Sequence, residues 1–376
     1  MNPSNHLVIV SNRPIPNLAP ALDRAVAPQR VFLLFGPGQA NDVQNLEKIY
    51  RRYGLKTDRV FVEKPEDPRA LRNQVSGLVA PFQYEELAFN ASCGSPIQIC
   101  SIFSLFWEQK RPIFCVSPPH DELVWLQPED RPKINLEDRL TITPFMNAFG
   151  LNVLNIRKQT KTSSEWKDLQ DYLILRAQDL QQAISVLNYY ASRGEYDSRL
   201  VVSRKDWLNR PFRNLLKQIQ KHGLIQMDGN SLHFVSDKAR NFLNGGWLEN
   251  LVFETLQRRY RDFGVQDLGL GLEFETPAGN QNEMDVVFLA DNHMHFIECK
   301  TSNMTTRKKK HYGLGVLYKL ESITELTGVI SRSMLVSYRD LKASDKRRAK
   351  DLNVKTVCAG ELKNLESHLA EWVRTG

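Results

Sequence analysis

Short apolar runs alternate with helical spacings through the first 150 residues. Leu7-Val8-Ile9-Val10, Val31-Phe32-Leu33-Leu34-Phe35 and Arg59-Val60-Phe61-Val62 read as strands, and helical patterns follow them at about residues 18–26, 43–53 and 68–78. Strands buried on both faces look continuously apolar, so this succession predicts a doubly wound parallel sheet. Ligands of such sheets sit beyond the carboxyl ends of the strands. That rule gathers Ser11 and Asn12, Gly36, and the small polar loop Asn90-Ala91-Ser92-Cys93-Gly94-Ser95-Pro96 along one edge. The last of these opens an apolar helix at residues 97–107, where free backbone N–H groups suit an anion. A plain turn with Ser95 as N-cap and Pro96 in the first helical turn accounts for the same residues. Residues 112–116 and 123–126 predict a hairpin around Pro118-Pro119-His120-Asp121.

Beyond a stretch rich in Pro and charge at 127–139, the spacing predicts helices over 169–190 and 206–222. Leu224-Ile225-Gln226-Met227 and Leu232-His233-Phe234-Val235 then flank the turn Asp228-Gly229-Asn230. Helices ending in a short hairpin resemble a winged helix, which serves either as a DNA reader or, the reading favoured here, as a spacer. The organisation expected is 1–150, a Rossmann-like α/β domain; 151–240, a helical, winged-helix-like linker; and 241–376, a second α/β domain.

Composition narrows the function. The chain has 376 residues, 41% apolar and 25% charged, enough for two or three domains with buried cores. No window approaches the ~18–20 apolar residues that cross a bilayer. Five scattered cysteines without a CxxC pair suit reduced thiols in a cytoplasmic setting. The net charge of +7 is uneven: residues 1–150 carry 16 basic and 16 acidic side chains, residues 151–376 carry 34 and 27. A neutral front and a basic back point to a polyanion met by the back half, although a solvated basic surface gives the same count.

The last third carries the chemistry. Met284-Asp285-Val286-Val287-Phe288-Leu289 and His295-Phe296-Ile297-Glu298-Cys299-Lys300 read as two strands joined by a tight turn at Asp291-Asn292. Alternation puts Glu298 and Lys300 on one face, and the hairpin brings Asp285 beside Glu298 at roughly one strand spacing, about 5 Å. Two carboxylates that close invite a hard divalent ion, Mg or Mn, held by Asp285, Glu298 and the Cys299 carbonyl. Lys300 has the reach to hold a phosphate and acidify an attacking water. A surface ion pair between Glu298 and Lys300 is the plainer alternative, set against the cost of charges ending an apolar strand. This Asp…Glu-x-Lys pattern resembles the PD-(D/E)xK nuclease signature. Gly245-Gly246-Trp247-Leu248-Glu249 opens a helix whose Glu249 fits the acid such folds aim at the metal, the plainer alternative being a helix-favouring Glu at a positive N-terminus; Glu254 fits less well, and Glu283 is either an auxiliary acid or a strand-edge residue. The run Arg307-Lys308-Lys309-Lys310 suits a nucleic-acid backbone. His293, His295 and His311 lack zinc-site spacing and read as ordinary residues.

Taken together, loop 90–96 in an α/β front and Gly-Gly-Trp-Leu-Glu…Asn-Glu-Met-Asp…Glu-Cys-Lys behind it resemble the CRISPR-associated ancillary nucleases that join a CARF sensor domain to a PD-(D/E)xK domain. The resemblance implies a homodimer that binds cyclic oligoadenylate, a tetra- or hexa-adenylate, across paired CARF domains and then cleaves DNA, RNA or both with a divalent metal. It implies Asp285 and Glu298 as metal ligands, Lys300 as catalytic lysine and Glu249 as helix acid. Ser11, Asn12, Gly36, Asn90, Gly94 and Ser95 would line the effector pocket. The family's third loop is a Thr-Gly-Gly-Thr-Lys-like run, so Pro96 here removes a cation. A ligand-responsive regulator without catalysis and an ungated restriction or repair nuclease are the alternatives.

Overall fold

The computed structural model describes residues 3–194, 200–302, 312–328 and 330–375. The basic run Arg307–Lys310 and His311 lie outside the described residues.

The front half runs β1 (Asn5–Ile9), α1 (Ile15–Leu22), β2 (Arg30–Phe35), α2 (Ala40–Arg52), β3 (Lys56–Phe61), α3 (Pro68–Val79), β4 (Leu87–Asn90), α4 (Pro96–Glu108), β5 (Ile113–Ser117), β6 (Glu122–Gln127), β7 (Ile134–Asn135) and α5 (Ile142–Ala148). Its seven-stranded sheet has the order β3-β2-β1-β4-β5-β6-β7, parallel through β5 and antiparallel beyond. The apolar runs at β1, β2 and β4 are buried inside it, whereas β3 at the edge alternates and stays polar. The first helix starts and stops earlier than its spacing predicts. Asp23 ends it in an extended conformation, its carboxylate accepting the N–H of Ala25 at 2.7 Å and of Glu137 at 2.8 Å.

β8 (Asn152–Arg157) leads into α6 (Ser164–Leu175), α7 (Ala177–Arg193), β9 (Leu200–Val201), α8 (Arg204–Leu208), α9 (Arg210–Lys221), β10 (Ile225–Asp228), β11 (Ser231–Phe234) and α10 (Asp237–Asn241). Each of the two helices expected here is broken. Arg176 leaves helical geometry between α6 and α7, and Asn209 is extended before Pro211, its side chain capping Phe212 N–H at 3.2 Å. The broken helices hide from periodicity because Leu169, Leu173, Ala177 and Leu180 stay in one core across the break. The hairpin β10–β11 forms as expected and gains β9 as a third strand.

The third part comprises α11 (Trp247–Arg258), β12 (Val265–Glu275), β13 (Gln281–Ala290), β14 (His293–Lys300), α12 (Tyr312–Leu326), β15 (Ser331–Ser337), α13 (Ala343–Asp351), β16 (Val354–Cys358) and α14 (Leu365–Thr375). Its six-stranded sheet has the order β16-β15-β14-β13-β12-β8. The edge strand β8 comes from the stretch read as the start of the linker; with most of its residues exposed it carries no apolar run to announce it. One core joins Val8, Leu33 and Phe145 of the front half to Phe274, Phe296 and Leu317 of the back half. A second core packs the other face of the third sheet on α6, α7, α11 and α14. Among the described residues no helix is long and apolar enough to cross a membrane, and all five cysteines are free.

Candidate active site

The sheet slips where the acidic residues gather. Leu268 and Leu270 of β12 share one core with Val286 and Phe288 of β13, whereas Leu272, Phe274 and Met284 belong to the other. Residues two apart on a regular strand keep one face. The alternation therefore changes at one place on both strands, around Gly271 and around Asp285, which lies opposite it between the pairs Leu270–Val286 and Leu272–Met284. Gly271 has φ +61°, a left-handed conformation that costs glycine little and bends a strand.

The bend turns Asp285 into the seam between β13 and β14. Val286–Ile297 is the last pair of that ladder, and beyond it Asp285 Oδ2 accepts the Cys299 backbone N–H at 2.6 Å. A strand residue presents its N–H and C=O to the same side, so the Cys299 carbonyl faces the opened seam. The Cys299 thiol lies in the core on the far side, and burial holds its pKa well above the usual thiol range.

Glu298 is 3% exposed. Its Oε1 lies 2.6 Å from Lys300 Nζ, which is also 3.6 Å from Asp285 Oδ2, so one ammonium faces both carboxylates. Lys319, on α12, spans the other side of Glu298 at 2.9 and 3.1 Å. The sequence pattern places a helix over 317–326 that carries Tyr318 and Lys319 back toward the sheet, without assigning Lys319 a role. The available signal is that Lys319 is the single basic residue of α12.

Glu249 reaches the site through two glycines. Gly245 has φ +129°, and a Cβ there would meet Thr301 Oγ1 at 2.9 Å, so the turn before α11 packs against the chain just after Lys300. The first turn of α11 then places Glu249 within electrostatic reach of Asp285 and Lys300. Burial, then the Asp285 charge, push Glu249 up to about 7 against the pull of Lys300 and Arg157. Burial and then Glu298 push Asp285 up to about 6, opposed by Lys300 and by the Cys299 N–H. Burial works against the Lys300 ammonium, but Asp285 and Glu298 outweigh it and raise its pKa. Glu283 adds only a weak repulsion to Glu249. Glu254 is engaged elsewhere, accepting Thr162 N–H at 2.7 Å and pairing with Lys167 at 3.5 Å. His293 and His295 are buried with lowered pKa values, and His295 stacks on Phe288, as residues of a core rather than ligands.

Among the described residues, no three His, Cys, Asp or Glu side chains are placed to hold a metal ion. The donors gathered here are two carboxylates and a carbonyl oxygen, a hard all-oxygen set that fits Mg or Mn. The mutual repulsion that raises Asp285 is the kind a divalent cation relieves.

The front-half loops are brought to one edge, but their side chains differ in availability. Asn90 is fully buried, its Nδ2 donating to Pro16 O at 2.8 Å and its Oδ1 accepting the Ser92 N–H at 3.1 Å, so it braces the loop instead of lining a pocket. Ser95 forms a capping box with Gln98, and its hydroxyl donates to Glu66 at 2.9 Å, which is the plain helix-start reading of this residue. Gly94, at φ +114°, admits Ile9 to 2.7 Å of where a Cβ would stand. Gly36 donates to Gln39 Oε1 at 2.7 Å, and Gln39 Nε2 donates to Val10 O at 2.8 Å, tying the loops after β1 and β2 together. Ser11 accepts Arg13 N–H at 3.2 Å and Asn12 is exposed. Arg13, Ser92, Val116 and Pro118 line a cavity of 110 Å³ that Thr327 and Gly328, just past α12, close from the back half.

Comparison with known proteins places this geometry. Residues 236–376 match the family model described as Card1-like, endonuclease domain. The crystal structure of protein VC1899 from Vibrio cholerae superposes with TM-score 0.88 at 29% identity over 98% of each chain. Can2 from Sulfobacillus thermosulfidooxidans in complex with cyclic tetra-adenylate superposes with TM-score 0.83 at 23% identity, over 99% of this chain and 98% of that one. A type III CRISPR defence DNA nuclease activated by cyclic oligoadenylate gives TM-score 0.55 at 16% identity, over 91% of this chain and 46% of that one. No curated protein matches. Residues 236–376 thus match a Card1-like endonuclease domain, and the whole chain shares the two-part fold of Can2, an α/β front domain joined to an endonuclease-like back domain.

Proposed function

We propose that this protein is a divalent-metal-dependent endonuclease that hydrolyses phosphodiester bonds of DNA or RNA when its front half binds cyclic oligoadenylate. The observation that carries the reading is the meeting of Asp285, Glu298, Lys300 and Glu249 at the bend of a Card1-like endonuclease sheet. Asp285, Glu298 and the Cys299 carbonyl would hold Mg or Mn. Such an ion supplies charge neutralisation at the phosphate and an acidified water. Lys300, fully protonated at neutral pH, holds a non-bridging phosphate oxygen and orients the water against the phosphorus. Glu249, with its pKa near 7, exchanges protons with that water at neutral pH.

Gating rests on the front half. The 110 Å³ cavity is far too small for a ring of four or six adenylates, so the ring lies across an open surface shared by two protomers in a cytoplasmic homodimer. α4 supports that pairing: it starts at the loop 90–96 and leaves Ile97 45% and Trp107 44% exposed beside its buried face. Pro96 opens that helix without the cation of the family's loop, leaving backbone N–H groups, Ser11, Asn12 and the loop glycines to meet the ring. The test is cleavage of plasmid and single-stranded DNA and RNA with Mn²⁺ or Mg²⁺, with and without cyclic tetra- or hexa-adenylate. The expected result is cutting that needs both ring and metal. Cutting indifferent to every ring overturns the gating, and none under any combination overturns the enzyme.

The raised carboxyl pKa values fix the sign of a pH effect. Protons stay on Asp285 up to about pH 6 and on Glu249 up to about pH 7, and a proton on a ligand must leave before an ion binds. Calorimetric titration with Mn²⁺ should show affinity falling on the acid side of about pH 6, by roughly tenfold per pH unit for each proton displaced. An isotherm unchanged between about pH 8 and about pH 5 would contradict this donor set.

A further inference from the structure

The edge strand β8 ends in Arg157, which pairs with Leu270 of β12 where the register slips by one residue before Glu273 and Asn155. That slip coincides with Gly271. The Arg157 guanidinium lies over Gly271, its Nη2 3.1 Å and its Nε 3.5 Å from where a Cβ would stand. Any other residue at 271 would therefore push it away. Gly271 in turn lies opposite Asp285 across the β12–β13 pairing, about one strand spacing distant. The Arg157 charge also reaches the Glu249 carboxyl. Arg157 thus stands on one side of the acidic cluster, and Lys300 and Lys319 stand on the other, bound to Glu298.

The two sides differ in what their cations are free to do. Lys300 and Lys319 are paired with Glu298, whereas Arg157 is solvent-exposed. The Nη2–Nε edge of the guanidinium is the part nearest Gly271, and the exposed side chain beside paired carboxylates keeps further N–H donors for a phosphate, a group that a guanidinium can take with two parallel N–H bonds. We propose that Arg157 is a substrate-binding residue of the nuclease, contacting a backbone phosphate next to the scissile one on the β8 side of the site. The proposal rests on the endonuclease reading of this same site.

The experiment measures binding of a fluorescein-labelled single-stranded oligonucleotide, as DNA and as RNA, by anisotropy across a salt series. It uses the full chain with Mn²⁺ and cyclic tetra-adenylate in a Glu298→Gln background that stops turnover. Adding Arg157→Ala should weaken binding roughly tenfold and lower the slope of log affinity against log salt by about 0.7, the share of a single neutralised phosphate. Arg157→Lys should restore the slope but only part of the affinity, since it keeps the charge and loses the fork. In the active protein Arg157→Ala should raise KM more than it lowers kcat, with an unchanged melting temperature because the side chain is exposed. Unchanged affinity and slope in Arg157→Ala, beside a parent that binds, would overturn this inference alone. A parent that does not bind, with a wild type that does not cut, would overturn the endonuclease reading and this inference with it.

Discussion

Glu298→Gln should lower cleavage by roughly a thousandfold or more while leaving the fold in place. The Glu298 carboxylate is where the site's charges converge: both its oxygens accept Lys319, one also accepts Lys300, and it is almost fully buried. An amide keeps the shape but reverses the match, because its NH₂ end would face an ammonium with no acceptor to offer. It also takes away half of the carboxylate pair that would hold the proposed cation. Stability should suffer far less, by about 1–3 kcal/mol, because Lys300 keeps Asp285 within 3.6 Å and Lys319, 35% exposed, can turn to water. Melting temperature, Mn²⁺ isotherm and cleavage rate on one preparation separate the two effects. Glu254→Gln is the control: it removes a half-buried carboxylate from α11, the helix of Glu249, but one tied to Thr162 and Lys167. Wild-type cutting by Glu298→Gln would show that the chemistry lies elsewhere.

The parts of this site that local patterns specify are the parts legible in the sequence. The hairpin β13–β14 follows from two apolar strands around Asp291 and Asn292, both of which take positive φ in the turn, and its register delivers Asp285 to Glu298. Gly245-Gly246 announces α11 because Gly245 takes φ +129° close against Thr301, a conformation and an approach that suit a residue without a Cβ. What escaped depends on contacts far apart in the chain. β8 has no apolar run, because an exposed edge strand needs none, yet it supplies Arg157. The change of face around Gly271 defeats a reading based on strict alternation, which puts Asp285 on a face of the sheet instead of in the seam beside Cys299 N–H. Asn90 and Ser95 illustrate the converse limit. Polar residues in a loop at the right edge look like ligand contacts, but a local partner at Ser92 and tertiary partners at Pro16 and Glu66 already occupy much of their hydrogen-bonding capacity.

The largest stability effect is expected from Trp247→Ala, about 3–5 kcal/mol. Trp247 is fully buried between the helices and the third sheet, its ring meeting Tyr338 edge-on at 5.3 Å and its carbonyl accepting Gln170 Nε2 at 2.9 Å. Removing the indole leaves a cavity beside Tyr338, inside a core whose backbones, held in α11 and next to β15, cannot close it. Trp247→Phe offers a sharper comparison. The indole Nε1 is buried without a hydrogen-bond partner among the described residues, so phenylalanine trades lost volume against the removal of an unsatisfied donor. Its cost should be no more than about 2 kcal/mol, below that of alanine. Because Glu249 lies two residues on in the first turn of α11, the alanine variant should also lose activity at temperatures where it remains folded, and the phenylalanine variant should keep it. Urea midpoints and cleavage rates at one temperature test both statements. An alanine variant as stable as the phenylalanine one would show that the indole does not hold α11 on the sheet.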